Sequence, residues 1–161
     1  DLIHLLGGED VFCKELDKNF DEGHYRHDNE PGHHFAYLYD CCGKLDKVQN
    51  RIPMIIKQHY KNKPDGLSGN DDCGQMSAWY LFSSLGFYPL APASGEYALG
   101  IPHFKEIILQ LRDGKKLLIK APELNKKDYL LRVYWNGKLL EKPFISIQDI
   151  FKGGVLEFCS E

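Results

Sequence analysis

The apolar positions divide the chain into a helical first part and a strand-rich second part. Apolar residues near helical spacing predict amphipathic helices over residues 10–20 and about 44–60. A short apolar run over residues 35–42 stops at a glycine, which predicts a buried helix with a glycine C-cap. A further helix is predicted over residues 75–85, again before a glycine. The sequence up to about residue 92 is therefore predicted to be helical.

From about residue 96 the pattern is that of strands. Two apolar segments over residues 106–121 lie on either side of Asp113-Gly114 and predict a hairpin. Asn136-Gly137 predicts a second hairpin over residues 129–146, because this dipeptide is a strong signal for a tight turn. A final strand is predicted within "GGVLEFCS". The predicted fold class is α+β, with helices in region 1–92 and antiparallel strands in region 96–161.

The helices carry more apolar surface than one small core needs. The predicted helix over residues 75–85 is apolar on more than one side, which is typical of a helix inside a larger assembly. Pro53 lies inside the predicted 44–60 helix, so it either begins a new helix or kinks one. The first residues lack the basic and apolar regions of a signal peptide and indicate a mature N-terminus or a cut fragment. We expect a partner surface outside this sequence.

Composition narrows the function classes. The 161 residues are 43% hydrophobic and 27% charged, with a net charge of −3, which excludes a strongly basic nucleic-acid footprint. No run of about 18 apolar residues predicts a membrane span. Five cysteines without zinc-type spacing favour mostly buried free thiols over a disulfide framework. No GxSxG, P-loop or GxGxxG motif occurs.

Residues 66–79, "GLSGNDDCGQMSAW", place acids and an amide between glycines just before a predicted helix. One interpretation is structural: an acid before a helix caps its free N–H groups. The other is functional, because Asn70, Asp71 and Asp72 offer oxygen atoms on a constrained loop. Such a loop could hold a general base, a Ca²⁺ ion or sugar hydroxyls.

Residues 27–34, "HDNEPGHH", form a second polar cluster. Clustered His, Asp and Glu can ligate a transition metal. However, Pro31 and Gly32 impose a turn rather than a helical metal-binding face. An oxygen-rich cleft for a polyhydroxylated ligand, with or without Ca²⁺, and a solvated turn are the other two interpretations.

Three long motifs carry a resemblance to a known family. The motifs "NEPGHHFAYLYD", "PDGLSGNDDCGQMSAWYLFSSLGFYPLAP" and "SGEYALGIPHFKEIILQL" resemble the C-terminal part of glycoside hydrolase family 92. The opening "LIHLLGGEDVFCKELDKNFDEG" is also similar to this family, so the resemblance covers essentially the whole sequence. The family consists of exo-acting α-mannosidases, mostly α-1,2-mannosidases. The resemblance implies that the helices belong to the last part of an (α/α)6 toroid and that the sequence is a fragment of a larger protein.

The resemblance also implies inverting, Ca²⁺-dependent hydrolysis of α-mannosides of N-glycan or mannan type. Asp72 matches the position of the general base, whereas Asn70 stands where some members carry a second acid. Asn29 and Glu30 match positions that face the mannose and the ion, and Asp71 is predicted to bind substrate. His33 and His34 match positions near the Ca²⁺, for which a main-chain oxygen of His33 suits a hard cation better than imidazole. The general acid lies upstream, so the sequence alone is predicted to be inactive.

The family's members imply a periplasmic, extracellular or cell-surface location in a bacterium. The implied partners are an α-mannoside glycan and the missing N-terminal part of the same polypeptide, or a second copy. Two rival functions remain at this point: a non-catalytic module that binds carbohydrate or Ca²⁺, and a domain that docks another protein through its apolar helices.

Overall fold

The structure is a computed structural model that describes residues 2–124 and 131–160. The α-helices of these residues are α1 Leu2–Leu5, α2 Glu9–Asp21, α3 Leu45–His59, α4 Gln75–Leu85 and α5 Ile147–Lys152. The strands are β1 Phe87–Tyr88, β2 Glu96–Leu99, β3 Glu106–Gln110, β4 Lys116–Lys120, β5 Arg132–Trp135, β6 Lys138–Leu139, β7 Phe144–Ser146 and β8 Gly154–Cys159. Helices come first and strands dominate afterwards. The predicted α+β class is confirmed.

The three longest α-helices follow the apolar pattern. Helices α2 and α4 form within a residue of their predicted bounds, and Gly86 ends α4 in the left-handed conformation. Helix α3 continues through Pro53, so no new helix begins there. The proline lies on the exposed side, whereas Ile52 and Ile55 next to it are buried. The buried side of α3 therefore packs normally around a residue that usually disrupts helices.

The segment Phe35–Cys42 is a 3₁₀ helix rather than an α-helix, and it ends at Gly43 in the left-handed conformation. Its buried positions show why. Ala36, Tyr39 and Cys42 are buried at a spacing of three residues. A 3₁₀ helix has three residues per turn, so this spacing brings all three onto one face.

The two predicted hairpins form around the predicted turns. Strands β3 and β4 are antiparallel, and Asp113 has the positive φ angle that such a tight turn requires. Strands β5 and β6 pair across Asn136, which also has a positive φ. The first two residues of the second hairpin prediction, 129 and 130, lie outside the described residues.

The strand arrangement departs from the prediction at two places. Strand β8 runs parallel to β4 and antiparallel to β5, so the predicted purely antiparallel arrangement is wrong there. Strand β7 leaves the second hairpin and pairs with β2, which also pairs with β1. The described residues thus form a sheet in the order β3-β4-β8-β5-β6 and a small sheet in the order β1-β2-β7.

Two apolar cores lie side by side. One is built mainly by helices and contains Phe12, Tyr39, Ile52 and Trp79. The other lies on the larger sheet and contains Leu117 and its neighbours. In the small sheet, β1 belongs to region 1–92, whereas β2 and β7 belong to region 96–161. The division into regions 1–92 and 96–161 stays a prediction.

Gln49 joins the helical part to the sheet. Its amide nitrogen donates to the carbonyl oxygen of Leu131 at 2.8 Å, and its amide oxygen accepts from the Leu131 N–H at 3.0 Å. Both residues are buried. The side chain therefore satisfies both main-chain groups of the residue that precedes β5.

Replacing Gln49 with methionine is expected to destabilise the fold. Methionine keeps the length of the side chain but leaves the buried N–H and C=O of Leu131 unpaired, which costs about 1–3 kcal/mol for each group. Urea denaturation of the chain measures the loss in the free energy of unfolding. Asn50→Ala, at the exposed neighbouring position, is the matched control and is expected to change the stability by less than about 0.5 kcal/mol.

All five cysteines are free thiols in this structure. Only Cys13 and Cys42 are buried, whereas Cys41 and Cys73 are exposed, so the expectation of mostly buried thiols is wrong. Across the described ranges, no helix combines the length and the apolar character that a membrane crossing requires.

Candidate active site

Two loops that the sequence singled out lie against each other. We call residues 66–74 the acidic loop and residues 27–34 the histidine loop. A Cβ atom added at Gly69 would lie 2.8 Å from both the Cβ and the main-chain oxygen of Asp28. Because only glycine permits such an approach, the two loops are in backbone contact at this position.

The end of the acidic loop has an unusual backbone. Asp72, Cys73 and Gly74 have consecutive positive φ angles of 38°, 59° and 89°. Residues other than glycine rarely adopt this region, and each instance costs on the order of 1–3 kcal/mol. This backbone presents Asp72, whose side chain is exposed, directly before helix α4.

Asp71 accepts hydrogen bonds from the beginning of helix α4, which is the structural role considered for this segment. Its Oδ1 accepts from the Ser77 N–H at 2.8 Å, and its Oδ2 accepts from the Ser77 hydroxyl, also at 2.8 Å. Its main-chain oxygen accepts from the Gln75 N–H at 2.7 Å. The hydrogen bonds from Ser77 hold the pKa of Asp71 below its usual value. Asp71 thus satisfies the start of α4, and its predicted role in binding substrate stays a prediction.

The carboxyl groups of Glu30 and Asp72 are in hydrogen-bonding contact across the two loops. This hydrogen bond, together with the negative charge of Glu30, raises the pKa of Asp72. The same hydrogen bond lowers the pKa of Glu30. The raised pKa makes the Asp72 carboxylate a better proton acceptor than an isolated aspartate, which is the property that a general base requires.

The predicted calcium site is only partly matched by this chain. The Oε1 atom of Glu30 is buried without a hydrogen-bond partner among the described residues, and such an oxygen fits a hard cation. His33 does not fit as a nitrogen ligand, because both ring nitrogens contact protein groups. Its main-chain oxygen already accepts from the Trp79 indole N–H at 2.8 Å.

The described side chains contain no cluster of typical metal ligands. Within residues 2–124 and 131–160, no three or more His, Cys, Asp and Glu side chains are arranged to hold a metal ion. Because Ca²⁺ also binds main-chain and amide oxygens, the Ca²⁺ requirement stays a prediction, and we assign no catalytic step to the ion. The ligand roles of His33 and His34 stay predictions.

Asn29, Asn70 and His34 are the remaining predicted site residues. Asn29 is exposed and precedes the 3₁₀ helix Glu30–Gly32, while Asn70 is exposed two residues before Asp72. The half-buried ring of His34 packs edge-on against Phe35 at 4.9 Å. Burial and the neighbouring His33 lower the pKa of His34.

A match to a known protein family identifies the family of this chain. The model of the glycosyl hydrolase family 92 catalytic domain matches residues 1–160. The chain belongs to family 92. This membership confirms that the chain is part of a glycoside hydrolase, as the three motifs indicated.

Solved family 92 structures share this fold. A family GH92 alpha-mannosidase from Bacteroides thetaiotaomicron is 42% identical, with a TM-score of 0.87 over 96% of this chain and 22% of its own. That enzyme has also been solved with mannoimidazole bound. A family GH92 inverting mannosidase from Bacteroides thetaiotaomicron VPI-5482 is 30% identical, with a TM-score of 0.87 over 99% of this chain and 25% of its own.

A curated relative is described as an uncharacterized secreted glycosidase of Arthroderma benhamiae. It is 28% identical over 160 residues, which cover 97% of this chain and 21% of that relative. The chain thus spans between a fifth and a quarter of the length of the family 92 proteins that it matches.

The sequence did not indicate Tyr60 as a residue near the site. His27 and His33 of the histidine loop form a fully buried layer with Trp79, and the Tyr60 hydroxyl contacts this layer. His27 was visible in the sequence only as one member of the polar cluster. Tyr60 lies 33 residues further along, and no local pattern connects the two.

Proposed function

We propose that this chain is the C-terminal part of an exo-acting, inverting α-mannosidase with Asp72 as its general base. The observation that carries the proposal is the contact between Glu30 and Asp72, which raises the pKa of the Asp72 carboxyl. A general base works best when its pKa lies near the pH of the reaction. The mannosidases of similar fold support the substrate class.

In the proposed reaction Asp72 removes a proton from a water molecule on the face opposite the leaving group. The water oxygen bonds to the anomeric carbon, and the bond from that carbon to the leaving oxygen breaks. A general acid outside this chain protonates the leaving oxygen, as in inverting glycosidases, where two carboxyl groups divide these tasks. The product of an α-mannoside is then β-mannose.

The other loop residues assist this reaction. Glu30 keeps Asp72 in place through their hydrogen bond and, with Asn29, contacts the mannose. Asn70 cannot accept the proton because its side chain is an amide, so the base function depends on Asp72 alone. Ca²⁺ remains part of the proposal for the whole polypeptide, with the free Glu30 oxygen on its periphery and further ligands from elsewhere.

We also infer that the rest of the polypeptide covers this chain's exposed apolar residues and completes the (α/α)6 toroid. Leu5 is 80% exposed in α1, and Leu81 is 59% exposed in α4. We expect both leucines to pack against the rest of the polypeptide, because that contact removes their apolar surface from water. The relative described as secreted supports a location outside the cytoplasm, which we place in the bacterial periplasm or at the cell surface.

The chain by itself is expected to release no mannose from an α-1,2-linked mannobiose. The longer polypeptide that contains it is expected to do so, because it also supplies the general acid. Chromatography of the released sugar checks both, with equal molar amounts of the two proteins. Mannose release by the 161-residue chain alone would contradict the assignment of the acid to another segment. Light scattering of that chain tests the covered surface, since a stable monomer at high concentration would count against it.

A further inference from the structure

A chain of buried hydrogen bonds runs beneath the two loops. The Tyr25 hydroxyl lies 2.8 Å from His27 Nδ1, and His27 Nε2 lies 2.7 Å from the Tyr60 hydroxyl. The Tyr60 hydroxyl donates in turn to the main-chain oxygen of Met76 at 2.9 Å. His27 and Met76 are fully buried.

The protons of this chain of hydrogen bonds have one consistent arrangement. A hydroxyl has a single proton, and that of Tyr60 is used on the Met76 oxygen. His27 must therefore carry its own proton on Nε2 and donate to Tyr60, which leaves Nδ1 to accept from Tyr25. Burial lowers the pKa of His27 to about 3, which agrees with a neutral ring.

His33 adds a second connection in the same layer. Its Nε2 lies 3.0 Å from the main-chain oxygen of His27, so this nitrogen carries the proton. Its Nδ1 is then free to accept from the Gln75 side chain at 3.4 Å. The histidine loop is thus tied at both ends to the beginning of α4.

The Tyr60 hydroxyl links the two segments that carry the reacting groups. His27 lies three residues before Glu30, and Met76 lies four residues after Asp72. We propose that Tyr60 is a positioning residue, whose hydroxyl fixes the spacing between Glu30 and Asp72 through His27 and Met76. This inference rests on the proposed base function of Asp72.

The ring of Tyr60 and its hydroxyl can be separated by one substitution. The ring is stacked on Trp79, with centroids 5.8 Å apart and an interplanar angle of 4°. Tyr60→Phe keeps this packing and removes only the hydrogen bonds. Tyr80→Phe is the matched control, because the Tyr80 ring packs against Tyr60 at 5.0 Å but its hydroxyl is not part of the chain.

In the longer polypeptide, Tyr60→Phe is expected to lower kcat on α-1,2-mannobiose about 10- to 100-fold, because small displacements of catalytic groups have effects of this size. KM is expected to stay within about twofold, since no group that contacts the sugar is removed. Tyr80→Phe is expected to leave both constants near their original values. An unchanged kcat in Tyr60→Phe, or an equal loss in Tyr80→Phe, would overturn the inference.

The 161-residue chain provides a spectroscopic test of the same inference. Long-range ¹H–¹⁵N correlation spectra of the unaltered chain are expected to show His27 and His33 protonated on Nε2. In Tyr60→Phe the His27 proton is expected to move to Nδ1, where the Tyr25 oxygen can accept it. His27 protonated on Nδ1 in the unaltered chain would overturn the inference.

Two further comparisons keep the test decisive. If Tyr60→Phe does not fold, the protonation of His27 in the unaltered 161-residue chain still tests the inference, because that measurement needs no variant. Asp72→Asn distinguishes the proposed function of Asp72 from the positioning role of Tyr60. Full activity in Asp72→Asn contradicts the proposed function itself, whereas loss there with full activity in Tyr60→Phe contradicts only the positioning role.

Discussion

Asp72→Asn in the longer polypeptide is expected to lower kcat on an α-1,2-mannoside by about 10²- to 10⁴-fold, the usual contribution of a general base. Asparagine has the shape of aspartate and can still hydrogen-bond to Glu30, but it cannot take a proton from water. KM is expected to change little, because the sugar still meets the same surface. Steady-state kinetics together with calorimetric mannose binding measure the two effects separately.

Asp65→Asn is the matched control for this substitution. Asp65 is an exposed acid just before the acidic loop, and it pairs with Lys63 at 2.9 Å. Its amide variant is expected to keep full activity. Equal kcat values for Asp72→Asn and the unaltered protein would contradict the base assignment. A longer polypeptide that binds mannose but never hydrolyses mannosides would favour the non-catalytic binding module.

Asp40→Asn is expected to stabilise the chain strongly above neutral pH. Asp40 is only 2% exposed, and neither carboxyl oxygen has a hydrogen-bond partner among the described residues. Burial raises the pKa of this carboxyl from 3.8 to about 9. The folded state therefore holds a proton that the unfolded state releases at much lower pH.

The pH dependence of stability follows from the higher pKa of Asp40 in the folded state than in the unfolded state. Below about pH 4 both states of the chain bind the proton, and aspartate and asparagine are expected to be similar in stability. As the pH rises towards 9, the unfolded chain loses the proton first, so the stability of the aspartate form falls. By pH 8 the asparagine variant is expected to be more stable by several kcal/mol.

Urea denaturation at pH 4.5 and pH 8 measures this change in the free energy of unfolding. Asp46→Asn, at an exposed position in the first turn of α3, is the control and is expected to behave alike at both pH values. A stability difference between Asp40→Asn and the unaltered chain that is the same at pH 4.5 and pH 8 would show that Asp40 is not held protonated.

Elements that depend on local chemistry were predictable from the sequence. Helix α4 forms where its apolar residues and its C-terminal Gly86 place it. The turns at Asp113 and Asn136 form because short polar residues tolerate positive φ angles. The segment Phe35–Cys42 was predictable only as a buried helix, because the three-residue repeat that marks its 3₁₀ form is seen in the burial and not in the sequence.

Pairings between distant segments were not predictable in the same way. Strand β8 lies between β4 and β5, and nothing within residues 154–159 specifies a parallel neighbour on one side. The contact between Glu30 and Asp72 depends on Gly69, whose missing side chain lets the loops touch. The motifs identified both acids through a family resemblance, but their separation along the chain concealed the contact between them.

Chemical rescue of an Asp72→Ala variant of the longer polypeptide, with azide and α-mannosyl fluoride, tests the base assignment most directly. The fluoride needs no general acid, so only attack on the anomeric carbon is limiting. Azide is itself a nucleophile and does not need Asp72 to remove a proton. We predict that azide restores turnover and gives β-mannosyl azide, the product of attack opposite the leaving group. Formation of α-mannosyl azide, or no rescue at all, would contradict Asp72 as the base of an inverting mannosidase.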